Sequence, residues 1–551
     1  MDRQRTVAEV LAQDLAFYGA RWCFALLGTA NFKISHALAK AGVEIISARH
    51  EGNAAAMADA YAKATQELTL VSVHSGPGLT NALTGIAEAA KSRTPLLVLA
   101  GDVPAGAVKN NFHFDQGAMA QSVGAVAERI HTPATAREDT RRAVTRAMRD
   151  RQTVVLSLPT DVQDALVGGT VSPLALPPVP GPLHPDPESL RKLAEAIGRS
   201  QRPVFIAGRG AVISAAEEAI ARLADHARAL LATSVCGHGL FASNPWSLGI
   251  CGGFASPAVS ELIAESDLIV GFGVSLTHWT TKRGKLIAPG IAVAQVDIEA
   301  SKLGYHTPVD IAVQADARVT AEAVLAAFGP HSDAELGWRT TATQTRIAEG
   351  GNHTAPYVDV STPEFIDPRT LSKAVDALLP DNRVVASDSG HFCGWVPRYL
   401  RVPNARSSCL SHSFQSVGLG LGSAIGLGIA NPGALIVLGA GDGGFLMSLA
   451  DLESAVRLKL RMCILVYNDA SYAAEVHLFR RRGYDIDIVR FPDTDIAAIA
   501  RGHGARAATV RTLQDLEPVQ AWVREGAPGV FVIDGKINPD LEADWHAEHF
   551  P

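Results

Sequence analysis

The stretch ALIVLGAGDGG (434–444), followed by the helical pattern LADLESAVRLKL (449–460) and the apolar run MCILVYND (462–469), decides the fold. Ala434 to Gly439 is a short, continuous apolar run of the kind buried on both faces of a parallel sheet. It leads into Gly441-Asp442-Gly443-Gly444, and a second such run ends in Asn468-Asp469, 27 residues after Asp442. One strand–helix–strand step returns the chain to the same edge of the sheet, so Asp442 and Asp469 can converge on one point. Carboxylate and carbonyl oxygens suit Mg²⁺, which takes few protein ligands and shares the rest with phosphate. The glycines let backbone N–H groups approach a diphosphate, and the helix start adds a favourable dipole. Gly-Asp-Gly alone is a common turn; joined by a helix to Asn-Asp, it becomes a specific signal.

The same alternation extends outward. Upstream, VEIISA, LTLVSV and PLLVLAG flank the helix-like GNAAAMADAYAKAT and LTNALTGIAEAAKS, and PVFIAG, LIVGFG and IAVAQVDIE follow further on. The fold expected is α/β in three domains, each a mostly parallel sheet covered by helices on both faces. The boundaries expected are 1–171, 185–328 and 365–551. Between the first two lies SPLALPPVPGPLHPDP (172–187), whose prolines exclude helix and interior strand and predict a stiff extended linker. The second seam, Gly329 to Pro368, is polar and carries Gly350-Gly351, so it reads as loop. No internal repeat is visible.

A chain of 551 residues, 47% hydrophobic and 19% charged, is neither disordered nor fibrous. The net charge of −7 gives no footprint for nucleic acid or an anionic membrane. No apolar run approaches a membrane span, and the charged start MDRQRTVAEVLAQ does not resemble a signal peptide. Six cysteines without C-x-x-C spacing read as reduced thiols, so a cytoplasmic enzyme is expected.

The Gly-Asp-Gly, helix and Asn-Asp arrangement resembles the cofactor motif of thiamine diphosphate (ThDP) enzymes. The resemblance implies Mg²⁺ ligands at Asp442, Asp469 (where the family usually has Asn) and the Ser471 carbonyl. It implies coenzyme contacts at Gly441, Gly443 and Gly444, and at Tyr472, Ala473 and Ala474 just beyond. SDSGHF (387–392) stands where acetolactate synthases contact the diphosphate, nominating Ser389, Gly390, His391 and Phe392. SVGLGLGSAIG places Val417 where an apolar side chain bends the cofactor. ARHEGNAAAMADAYAKAT (48–65) matches the segment whose glutamate shares a proton with the aminopyrimidine, making Glu51 the catalytic acid. HSGPGLTNALTGIAEA (74–89) matches the family's GPG loop, with Pro77 and Asn81 lining the pyrimidine; FALLGT (24–29) puts Leu26, Leu27 and Gly28 in the pocket wall. The family pairs the first and third domains across subunits, implying a homodimer at least and commonly a homotetramer. The middle domain looks like the family's spacer.

For the substrate, the resemblance points to a 2-oxo acid, pyruvate by default, and a carbonyl acceptor. Glu475, in YAAEVH (472–477), matches a glutamate of related decarboxylases that protonates the intermediate. His113, in KNNFHFDQG, is a second candidate catalytic group, with Asn111 and Gln116 beside it. His50 and His74 read as capping or packing residues, and Arg480-Arg481-Arg482 as a surface face. Ser275 to Trp279 replace the element that holds FAD in acetolactate synthases, which argues against FAD. The reading is an acetolactate synthase-like carboligase; the alternatives are a non-ligating decarboxylase, a 2-hydroxy ketone lyase, a dinucleotide-binding oxidoreductase built on Ile206-Ala207-Gly208-Arg209-Gly210, and a catalytically silent relative.

Overall fold

The computed structural model describes residues 4–167, 172–328 and 338–550. The end expected for the first domain, at 168–171, and the first residues of the second seam, 329–337, lie outside them. Three six-stranded sheets, all parallel, carry the chain. The first contains Trp22–Ala25, Glu44–Ser47, Thr69–Val73, Leu96–Asp102, Val126–Arg129 and Thr153–Pro159. Numbered along the chain, these strands lie side by side in the order 2-1-3-4-6-5. The third sheet, from Arg383–Ser387, Ser408–Leu410, Leu435–Gly441, Met462–Asn468, Arg506–Val510 and Val530–Lys536, has the same order. The middle sheet, from Pro203–Ala207, Leu230–Thr233, Ser247–Ile250, Leu268–Phe272, Ala292–Asp297 and Ile311–Gln314, runs 3-2-1-4-5-6, the order of dinucleotide-binding folds. The two outer units therefore repeat one topology that no repeat in the sequence reveals.

One buried apolar cluster passes through both outer units. At its centre the helix Glu51–Thr65 crosses the helix Gly420–Ala430. The first is rich in alanine and nearly all buried, the second rich in glycine, because their backbones almost touch. A Cβ on Gly426 would stand 1.9 Å from the Met57 carbonyl oxygen, and one on Gly422 would stand 2.8 Å from that of Asn53.

Residues 172–186 form no helix or strand. This strap is tied down at intervals: Arg137 donates to the Ser172 carbonyl at 2.5 Å, the Tyr18 hydroxyl to that of Leu174 at 2.8 Å, and the Asp316 N–H to that of Leu183 at 2.8 Å. The second seam departs from expectation, since it contains the helix Thr341–Gly350. Thr340 caps it by accepting the Thr343 N–H, and Ile347 packs on the middle core, so one apolar residue and a cap outweigh the polar composition. The helix expected after Gly-Asp-Gly-Gly also differs. It begins at Asp442 itself, loosens into a 3₁₀ turn at Leu449–Asp451 and resumes over Leu452–Arg457.

Candidate functional site

Strands Leu435–Gly441 and Met462–Asn468 are neighbours, with Gly441 paired to Tyr467. Asp442 and Asp469, the residues directly beyond these strand ends, therefore emerge side by side. Ser471 turns its N–H and hydroxyl onto Asp469 Oδ1 at 3.1 and 2.9 Å, around Ala470 in the left-handed region. Asn468 points the other way, donating to Asp534 Oδ1 at 2.8 Å, and Asp534 is paired with the Lys536 ammonium at 3.0 Å. Burial holds the Asp442 carboxyl above its ordinary range. It holds that of Asp469 higher still, with the charge of Asp442 adding to the effect. Two half-buried carboxylates in one field suit a divalent cation, which offsets both charges. Among the described residues no three His, Cys, Asp or Glu side chains gather into a metal site. A pair completed by a carbonyl and phosphate oxygens is what Mg²⁺ accepts.

The floor of this site is a residue missed by sequence reasoning. Asp388 is buried, its carboxyl pushed up to about 6 by desolvation. It accepts the Ser389 N–H at 2.9 Å and the Gly418 N–H at 3.0 Å. A Cβ on Gly444 would lie 2.3 Å from Asp388 Oδ2 and 3.1 Å from Val417, so only glycine leaves the cradle open. Val417 is 39% exposed at its rim, which is no place for a core valine. Phe392 stacks on Tyr467 beneath, and Ser389 donates to the Ser411 carbonyl at 3.2 Å. The His391 ring faces the C-terminal segment, where Nε2 accepts the Ala543 N–H at 2.9 Å. Gly390 joins Ser389 to His391; Tyr472 covers Gly443 and meets Phe491 edge-on, and Ala473 and Ala474 begin the next helix.

In the first unit Glu51 opens its helix, and its carboxylate is almost fully buried. His50 caps the same helix by accepting the Gly52 N–H at 3.0 Å. Asn81 Nδ2 donates to Glu51 Oε2 at 3.1 Å from the helix Pro77–Lys91, which Pro77 begins. Gly28 lies under the His74 ring, and Asn31 ties the turn by accepting the Gly28 N–H and donating to the Leu26 carbonyl. The acid, its amide partner and the wall residues form one patch.

Other candidates stand apart. His113 is exposed; its neighbour Phe112 is the residue that packs on His74. Gln116 is buried and donates to the Gly101 carbonyl, so it serves the fold. Glu475 is exposed on its helix. Arg480 and Arg481 pair with Asp540 and Glu542 and fasten the C-terminal segment. Glu51 makes no hydrogen bond or ion pair with Asp442 or Asp469 among the described residues.

A strand pair ending in two carboxylates, a glycine cradle and a buried glutamate on a second sheet of the same topology is a combination that family comparison resolves. Models of the N-terminal TPP binding domain, the central domain and the C-terminal TPP binding domain of thiamine pyrophosphate enzymes match residues 5–123, 190–324 and 388–534. The chain belongs to the thiamine pyrophosphate enzyme family. Its relatives in the family include a "Probable acetolactate synthase large subunit" of Methanocaldococcus jannaschii, 26% identical over 97% of this chain and 92% of that one. A sulfoacetaldehyde acetyltransferase of Rhodobacter capsulatus is also 26% identical, over 97% and 95%. An X-ray structure from Mycobacterium smegmatis, of a protein assigned to the thiamin diphosphate-dependent enzymes, superposes with a TM-score of 0.80 at 20% identity, covering 97% of this chain and all of that one. The Gly208-Arg209-Gly210 turn, which prompted the oxidoreductase reading, lies in the matched central domain and closes backbone to backbone on Gly273. No helix among the described residues is long and apolar enough to cross a membrane.

Two further carboxylates tie the thiamine pyrophosphate-binding units together, and sequence reasoning found neither. Asp451 accepts the Arg49 N–H and the Asn53 amide, and Glu88 accepts the N–H groups of Ser413 and Phe414. Each lies hundreds of residues from its partners, beyond the reach of any local pattern.

Proposed function

We propose that this chain is a Mg²⁺-dependent carboligase of the acetolactate synthase-like group. It would cleave or decarboxylate a 2-oxo acid, pyruvate by default, and pass the acyl unit to a second carbonyl. The observation that carries this reading is the pair Asp442 and Asp469 beside the Gly443-Gly444 cradle, with buried Glu51 held by Asn81 on the matching sheet. Asp442, Asp469 and the Ser471 carbonyl would hold Mg²⁺, while the N–H groups of Gly443 and Gly444, at a helix start, would meet the diphosphate. Bound thiamine diphosphate supplies the electron sink for breaking the bond beside the carbonyl. Glu51, fixed by Asn81, would exchange a proton with the aminopyrimidine ring nitrogen, and burial keeps water from that exchange. Val417 would press on the middle of the coenzyme from the rim. Because Glu51 has no contact with the metal pair of its own chain, the complete site is proposed to form between two copies, in a homodimer or a homotetramer built from it.

The relatives named for acetolactate synthesis and for sulfoacetaldehyde acetyl transfer both support acyl transfer to a second molecule. A non-ligating decarboxylase is the second reading, favoured by Glu475 on the helix that follows the metal loop. A product screen separates the two: pyruvate and other 2-oxo acids, and sulfoacetaldehyde, are supplied with and without aldehyde or ketone acceptors and read by mass spectrometry. Coupled hydroxyketones or hydroxy-oxo acids are the expected result. Free aldehyde alone assigns the decarboxylase, and no turnover of any 2-oxo acid removes the proposed donor class.

A further inference from the structure

A proton-exchanging carboxyl has to sit within a fraction of an ångström of its partner. What sets the position of Glu51 comes from the other outer unit, about 400 residues along the chain. Asp451 is fully buried. Its Oδ1 accepts the Arg49 backbone N–H at 2.8 Å, and its Oδ2 accepts Asn53 Nδ2 at 2.8 Å. These partners stand two residues before and two residues after Glu51, so one carboxylate grips the chain on both sides of it. The Ser454 hydroxyl donates to the same Oδ1 at 2.8 Å and fixes the rotamer. The 3₁₀ turn Leu449–Asp451, which interrupts the helix begun at Asp442, is what brings this side chain across.

The arrangement recurs with the units exchanged. Glu88, also buried, accepts the Ser413 N–H at 3.2 Å and the Phe414 N–H at 2.7 Å, just ahead of Val417 and Gly418. Both carboxylates follow the third strand of one outer sheet, and both hold the loop that enters the crossing helix of the other. Adhesion between two helices needs only apolar contact. A buried carboxylate is costly unless its oxygens are satisfied. Asp451 is satisfied by the groups around Glu51 and by Ser454, and Glu88 holds its loop while also pairing with the Lys63 ammonium at 3.0 Å.

We propose that Asp451 is a positioning residue for Glu51, setting the place of its carboxyl from the unit that carries the metal pair. This rests on the reading of Glu51 as the proton-exchanging group. The test uses the full chain with thiamine diphosphate and Mg²⁺. It measures coenzyme Kd by calorimetry, melting temperature, and deuterium exchange at the thiazolium carbon of the bound coenzyme by acid quench and proton NMR. Glu51→Gln is expected to slow exchange by at least about 100-fold. Asp451→Asn, which keeps the shape but sets an amide against the Asn53 amide, is expected to slow it about tenfold with Kd changed less than about twofold. Adding Asn53→Asp to Asp451→Asn restores a donor–acceptor pair with reversed polarity and is expected to bring the rate back to within about threefold of the unaltered protein. Asn53→Ala deletes the same contact from the opposite end and is expected to slow exchange about fivefold, which keeps the test open if Asp451→Asn is unstable. Full-rate exchange in Asp451→Asn or Asn53→Ala, or a double variant no faster than Asp451→Asn, overturns the proposal. Full-rate exchange in Glu51→Gln instead removes the reading of Glu51 itself.

Discussion

In the first unit the helix after the second strand opens on Glu51, an acid held by an amide from the neighbouring helix. In the third unit the matching helix opens on Gly420, and the loop ahead of it presents the Gly418 N–H to the buried Asp388. The helices after the third strands differ in the same sense, one starting Pro77-Gly78 and the other Asp442-Gly443-Gly444. On the proposed reading, two sheets of one strand order have opposite ends: one would offer a proton-carrying group to a ring, the other charge and bare backbone to a metal and a diphosphate. The middle sheet, with its different order, carries neither. Topology alone therefore decides where a site lies, and the few residues at strand ends decide what it does.

That division of labour can be broken at either end. Glu51→Gln should lower turnover by about 10²- to 10⁴-fold while coenzyme affinity stays near that of the unaltered protein; equal losses in both would merge the two roles. Asp442→Ala should do the reverse, weakening coenzyme and Mg²⁺ binding by on the order of 100-fold in a calorimetric titration. Saturating coenzyme with Mg²⁺, at a hundredfold excess over Kd, should stabilise the protein by about 2.7 kcal/mol, an increment that Asp442→Ala cuts to about 0.4 kcal/mol and Glu51→Gln keeps. Gly426→Ala forces a Cβ onto the Met57 carbonyl and should cost about 1–3 kcal/mol in urea denaturation, because the crossing helices cannot separate without opening the shared core. Smallest of all, Glu453→Ala removes the solvent-screened bridges to Arg49 and Arg457 and should leave the melting temperature within about 2 °C.

The parts of this architecture that could be read from the sequence are those written within a single strand–helix–strand step. Asp442 and Asp469 stand just beyond strand ends, where residue type and spacing together limit the chemistry; Glu51, at a helix start, is nominated by the resemblance of its segment to thiamine diphosphate enzymes. Asp388 lay inside SDSGHF, but its role depends on Gly418 and Gly444, which local patterns do not bring near. Asp451 and Glu88 look like ordinary polar positions on amphipathic helices; only the crossing of two units turns them toward backbone N–H groups. The shared strand order was invisible because the matching positions carry unlike residues, acid in one unit and glycine in the other. The helix Thr341–Gly350 was hidden by its polarity and by Gly350-Gly351, which end it rather than dissolve it. Exposure of His113 and Glu475 depends on a second copy in the assembly proposed for this chain, which no single chain contains.

The strap of residues 172–186 has a mechanical side. Pinned near both ends and stiffened by proline, it acts as a splint along the surface instead of a hinge, so the middle unit should not swing freely as the coenzyme enters. Spacers of this kind transmit shape: lengthening or softening the splint, with every catalytic side chain untouched, would loosen the angle at which the middle unit is held against the first.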